Sequence, residues 1–185
     1  MGSTAFAKFV EDQQTVDSEE VMDWNRELSD WRSNLDSFYS RILSYLKEFT
    51  DVGSITYSFS EIALTEENLG TYRVKKMNLN IGRQHVSLEP IGTLLMFCKG
   101  RVDVVGSAGR AQILLVNEKA RNPGDLINVT VTISGPGKVP TPPPRQPEPQ
   151  TISWAWKIVT QTPRLQFVDL DKDSFYSVLM EIANA

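Results

Sequence analysis

Large apolar residues recur from the first third of the chain at Val21, Trp24, Leu28, Trp31, Leu35, Phe38, Ile42, Tyr45 and Phe49, at spacings that alternate three and four. That rhythm keeps one stripe on one side of an α-helix and predicts a long helix over residues 17 to about 50. Asp17 and Glu20 have capping-box spacing at its start, and Gly53 follows its end. From Phe38 the stripe widens to include Tyr39, Leu43 and Leu46, the broad face of a helix lying on a sheet. The stretch from Val21 to Leu35 is narrow and carries both Trp24 and Trp31. Residues 1–16 are expected to form a separate N-terminal extension.

After Gly53 the period changes from the helical one to two. Residues 55–64 and 72–81 read as a hairpin. A register centred on Asn68 pairs Ile55 with Ile81, Tyr57 with Leu79, Phe59 with Met77, Ile62 with Val74 and Leu64 with Tyr72. The apolar phase jumps in both strands at one level, near Ser60-Glu61 and Lys75-Lys76, which calls for a strong bend or bulges. Shorter strands follow around Val86 to Leu88 and over residues 93–98, 101–105 and 111–116. Two clean alternations, residues 127–133 (INVTVTI) and 152–158 (ISWAWKI), read as antiparallel neighbours. Between them, residues 135–150 hold seven of the ten prolines and form a loop, since proline cannot sit inside a sheet. A last strand at about 165–168 leads to a short helix with Phe175, Val178, Leu179 and Ile182 on one face. The expected fold is a single α+β domain over residues 17–185: a strongly bent antiparallel sheet of about 6–8 strands, the long helix packed on it, and a short C-terminal helix closing it.

Charge divides the chain. Residues 1–70 hold 5 Lys/Arg against 14 Asp/Glu, residues 71–125 hold 9 against 4, and the whole carries −4. The helix is therefore acidic and the middle of the sheet basic. Arg73, Lys75, Lys76, Arg101 and Arg110 are the candidate contacts for a nucleic acid or another anion, although the acidic total and the scarcity of interleaved exposed aromatics argue against nucleic acid. A single cysteine, Cys98, excludes an intrachain disulfide. The opening MGSTAFAKFVEDQQ lacks a basic start and an apolar run, and no apolar stretch is long enough to span a bilayer, so the expectation is a cytoplasmic protein with no membrane contact.

Catalytic chemistry finds little support. One histidine and one cysteine do not supply a zinc site. Asp169, Asp171 and Asp173 have the spacing of an EF-hand loop, but Ser174 and Met180 stand where that loop needs Gly and Glu, so helix capping is the better reading. Cys98, His85 and Glu89 or Asp103 make a poor triad because the thiol lies in an apolar strand. The turn Gly106-Ser107-Ala108-Gly109 is glycine-rich but lies between two strands, not ahead of a helix. No catalytic, metal or cofactor residue is assigned. Pro140, Pro143 and Arg145 have the spacing of an SH3 ligand, yet the loop reads first as a spacer.

The leading expectation is a non-catalytic interaction module of the adaptor, escort-chaperone or toxin-neutralising kind. It would bind another protein, or a second copy of itself as a homodimer, through Trp24, Leu28, Trp31 and Leu35 and the adjacent sheet. A small-ligand binder or enzyme with a pocket in the bent sheet is the alternative, and nucleic-acid binding through residues 73–121 comes after it.

Overall fold

The structure, a computed structural model, describes residues 2–67, 69–93, 98–126, 153–160 and 164–183, with side chains from Trp24 onward. It shows an α+β fold. Among the described residues helix α1 (Gly2–Asp51) precedes seven strands, β1 (Ile55–Glu66), β2 (Gly70–Ile81), β3 (Gln84–Gly92), β4 (Arg101–Val105), β5 (Arg110–Asn117), β6 (Trp154–Thr160) and β7 (Gln166–Asp169). Helix α2 (Lys172–Ala183) follows them. The strands form one antiparallel sheet in chain order, β1 to β7. No helix is long and apolar enough to cross a membrane among the described residues.

Helix α1 starts earlier than the capping signal at Asp17, which lies inside it. Between Ser3 and Val52 the chain has neither Gly nor Pro, so nothing in the backbone forces a break there. A helix of 50 residues is about 75 Å long at a rise of 1.5 Å per residue. Its core contact begins at Trp31 rather than at Phe38: Trp31, Leu35, Phe38, Ile42 and Leu46 are all at most 2% exposed. The Trp31 ring packs on Gly100, where a Cβ would fall 2.1 Å from its Cζ3, so that position admits only glycine. The rings of Trp31 and Phe38 meet Trp156 of β6 at 6.2 and 4.7 Å.

The hairpin forms in the expected register, all five apolar pairs included, and its pairing runs through twelve positions without a bulge. Tyr72 and Val74 are buried, and so are Met77 and Leu79, which have the opposite pleat parity. Helix α1 meets the ribbon at the level of the change, for Tyr39 packs on Phe59 at 5.3 Å and donates its hydroxyl to the Lys75 carbonyl at 2.6 Å. With no extra residue in the ladder, twist and bend of the two-stranded ribbon take up the change of face. At the tip the Glu66 carboxylate accepts from the Tyr72 hydroxyl and from the Thr93 N–H and hydroxyl, tying the ribbon to the end of β3.

Across the remaining strands the ladder places Met77, Leu79, Val86, Leu88, Val102, Val104, Ile113, Leu115, Trp156 and Ile158 on the helix-covered face, in one core with both helices. Helix α2 buries the predicted Phe175, Val178, Leu179 and Ile182. It starts with a reciprocal cap, Ser174 N–H to Asp171 Oδ1 at 2.8 Å and Asp171 N–H to Ser174 Oγ at 2.9 Å. Among the described residues strand β6 takes β5 and β7 as its neighbours; the expected partner of β6 is residues 127–133. That segment, the central part of the predicted strand at 93–98, and the proline-rich loop at 135–150 lie outside the described residues.

Candidate functional site

The four residues expected to meet a partner fall into two groups. Trp31 and Leu35 are spent on the chain's own core. Trp24 and Leu28, further up the same stripe, are only half-buried. The reason is length. The longest strands have 12 residues, about 40 Å at 3.3 Å per residue, against about 75 Å of helix. The stripe therefore runs on past the sheet that covers it.

The five candidate anion contacts do not converge. Lys76, Arg101 and Arg110 project from the sheet face opposite the helices, whereas Arg73 and Lys75 have the other parity. Each has a carboxylate within ion-pair distance: Arg73 with Glu61 at 3.4 Å, Lys75 with Asp36 at 3.7 Å, Lys76 with Glu89 at 2.6 Å, Arg101 with Asp103 at 2.6 Å and Arg110 with Asp103 at 3.2 Å. The acidic helix and the basic sheet thus meet each other in part, through Asp36 and Lys75. A charge already neutralised within the fold contributes little to a phosphate surface.

The face opposite the helices holds the residues that sequence reasoning undervalued. Asp103 is fully buried and receives Arg101 through both Nε and Nη2, at 2.6 and 2.8 Å. Hydrogen bonds from Lys76 and Ser87 hold the Glu89 carboxyl below its usual range, against the opposing effect of its partial burial. Lys157 is fully buried as well. Its ammonium donates to the carbonyls of Glu118 at 2.6 Å and Ala120 at 2.9 Å, and pairs with Asp169 at 2.9 Å. This grip draws residues 117–126 over the sheet, above a second small core of Val116, Ala120 and Phe167. The alternation of β6 marks Lys157 as facing away from Trp156, but the signal for its burial lies in a loop about forty residues distant.

The weaker candidates resolve as structure. Cys98 packs on the second core, and burial pushes its thiol up. His85 Nδ1 lies 3.0 Å from Asn80 Oδ1 on an exposed stretch, while Glu89 and Asp103 are held by cations. The Gly106–Gly109 turn spends the Ala108 N–H on the Ile182 carbonyl and the Ser107 hydroxyl on Ala183, so it caps the end of α2 instead of cradling an anion. Asp169 serves Arg121 and Lys157, and Asp171 caps α2. No group of three or more metal-ligating side chains converges among the described residues.

One cavity has the character of a binding pocket. It measures about 530 Å³ between the end of α1, the start of β1 and α2, and is lined mainly by Leu46, Phe49, Ile55, Ile81, Leu179 and Met180. Its size falls in the range of small-molecule sites. Comparison with protein-family models, with curated proteins and with solved structures finds no match for the chain.

Proposed function

We infer that the protein is a non-catalytic interaction module that docks another protein on the upper part of α1. The observation that supports this reading is the only partly covered continuation of the apolar stripe at Trp24 and Leu28. Trp31, Leu35, Phe38, Ile42 and Leu46 are buried, whereas Trp24 and Leu28, the latter at the margin of the core, remain half-buried on a helix that runs on to Gly2. Half-exposed tryptophan and leucine on a rigid helix are the side chains from which helix-mediated interfaces are built. Residues 17–36 hold seven Asp/Glu against two Arg, so this surface suits a partner with a basic groove better than a second copy of the same helix.

The test is an affinity capture of cross-linked partners by the full chain and by a Trp24→Ala/Leu28→Ala variant. The double variant should keep its fold by near-ultraviolet circular dichroism and lose the partner. A folded variant that retains every partner ends this reading. The same result would favour the ligand-binding alternative, because the 530 Å³ cavity lies at the other end of α1 and is untouched by both substitutions.

A further inference from the structure

Strand β1 is one edge of the sheet. It pairs with β2 along its whole length, and over residues 55–61 no backbone hydrogen bond among the described residues reaches it from its outer side. An edge of this kind presents a row of open N–H and C=O groups, which proteins ordinarily guard with lysine, proline, bulges or brevity. The opposite edge is guarded by its shortness, since β7 has four residues. Strand β1 has twelve residues, no Lys, Arg, Pro or Gly, and an unbroken register. Its side chains are sorted by face. Tyr57 and Phe59, 46% and 41% exposed, stand on one face, and Thr56, Ser58 and Ser60 on the other. The two aromatic rings are held in place, Phe59 on Tyr39 at 5.3 Å and Tyr57 on Phe59 at 6.0 Å.

We propose that β1 pairs antiparallel with β1 of a second copy, the two-fold axis passing through Ser58, to join two sheets edge to edge. Antiparallel pairing about a residue conserves pleat parity, so like meets like. Tyr57 faces Phe59 of the second copy twice over, Thr56 faces Ser60 twice, and Ser58 faces itself. Centring on Tyr57 would exhaust the strand after five residues, because β1 begins at Ile55. Centring on Ser60 would set Ser58 against Ile62 and Thr56 against Leu64. The chosen register is also compatible in charge. Glu61 faces Ile55 of the second copy, which keeps the two Glu61 carboxylates about 20 Å apart at 3.4 Å per residue, about two and a half times the screening length at physiological salt. Seven paired residues per copy form a contact at the small end of specific interfaces, so the dimer dissociates on dilution.

Sedimentation velocity on the full chain over a concentration series tests this. The expected result is a reversible monomer–dimer equilibrium that Tyr57→Lys weakens by about tenfold or more, since an edge lysine is the guard that β1 lacks. Its thermal midpoint should be unchanged because Tyr57 is outside the core. In a Cys98→Ser background, Ser58→Cys should form a disulfide-linked dimer under mild oxidation, while Ala63→Cys, which has no counterpart in this register, should not. A chain that stays monomeric at every concentration, a dimer indifferent to Tyr57→Lys, or equal cross-linking at both cysteine positions would overturn the proposal. Trp24→Ala/Leu28→Ala should leave the dimer intact, so the edge and the helix surface stand or fall separately.

Discussion

On one face of β4, Val102 and Val104 are fully buried among Met77, Leu88 and Ile113; on the other face of the same five-residue strand, Asp103 is equally buried. Water is excluded on both sides, but by different means. The helix-covered face needs volume and shape, supplied by α1 and α2. The other face needs a partner for every charge: two arginines for Asp103, and two carbonyls with Asp169 for Lys157. Apolar burial on the first face stabilises in proportion to the area covered. On the second face the pairs offset the cost of desolvation more than they add to stability, and what they supply is position, holding residues 117–126 against the sheet. The largest effects of substitution should therefore lie on the helix-covered face, with the polar face showing smaller and more local ones.

Phe38→Ala tests the first half of that contrast. Phe38 is fully buried, and its ring meets Trp156 at 4.7 Å and Tyr39 at 5.5 Å. Truncating such a side chain leaves a cavity that rigid neighbours do not fill, at a cost of about 3–5 kcal/mol. Urea unfolding should show the midpoint fall while the slope is kept. A loss of under 1 kcal/mol would mean that α1 is not the lid of this core, and the contrast between the faces would collapse.

The apolar face was legible in the sequence because its signals are periodic and local. The stripe from Trp31 to Leu46, the matched jumps of phase in the hairpin and the face of α2 each follow from spacing within one or two adjacent elements. The polar face was less so, because pairing of charges has no period and its Lys157 anchor is long-range. Arg101 and Arg110 stand within seven residues of Asp103, but counting them as free cations hides the pairing, and nothing near Lys157 announces the Glu118 and Ala120 carbonyls. The basic segment 71–125 looked like a surface because counting charges omits their partners. The buried stripe begins at Trp31, earlier than its widening at Phe38 predicts, because the residue that makes room for Trp31, Gly100, stands far away in the chain.

Lys157→Met tests the polar face. Methionine keeps most of the volume and removes the charge. The Glu118 and Ala120 carbonyls then lose a donor, while Asp169 keeps Arg121 at 2.8 Å. Leaving buried acceptors unpaired costs about 1–3 kcal/mol, less than the Phe38 cavity. The effect should also be local. Hydrogen exchange at the Phe167 N–H, which is bonded to the Arg121 carbonyl at 2.8 Å, should quicken more than exchange in β2 or β3. Uniform acceleration across the sheet would show that Lys157 supports the whole fold, and the two faces would then not differ in kind.

The smallest effect belongs to the Lys76–Glu89 pair, whose side chains are 24% and 30% exposed. Because the folded protein holds the Glu89 carboxyl below its usual range, the ionised form favours folding. That contribution is fully present above the ordinary glutamate value of about 4.3. It disappears as the pH falls from there through the lower folded value. Other depressed carboxyls, Glu48 and Asp169 among them, titrate in the same window, so only a difference between variants isolates the pair. Lys76→Met removes the largest cause of the shift and leaves Ser87 as a donor. Solvent access limits the pair to about 1 kcal/mol or less. Urea midpoints measured from pH 7 to about 3 should therefore separate wild type from Lys76→Met at neutral pH and bring them together in acid. Curves that stay parallel throughout would show that Glu89 is held by Ser87 and the strand alone, and that the polar face owes its order to hydrogen bonds more than to ion pairs.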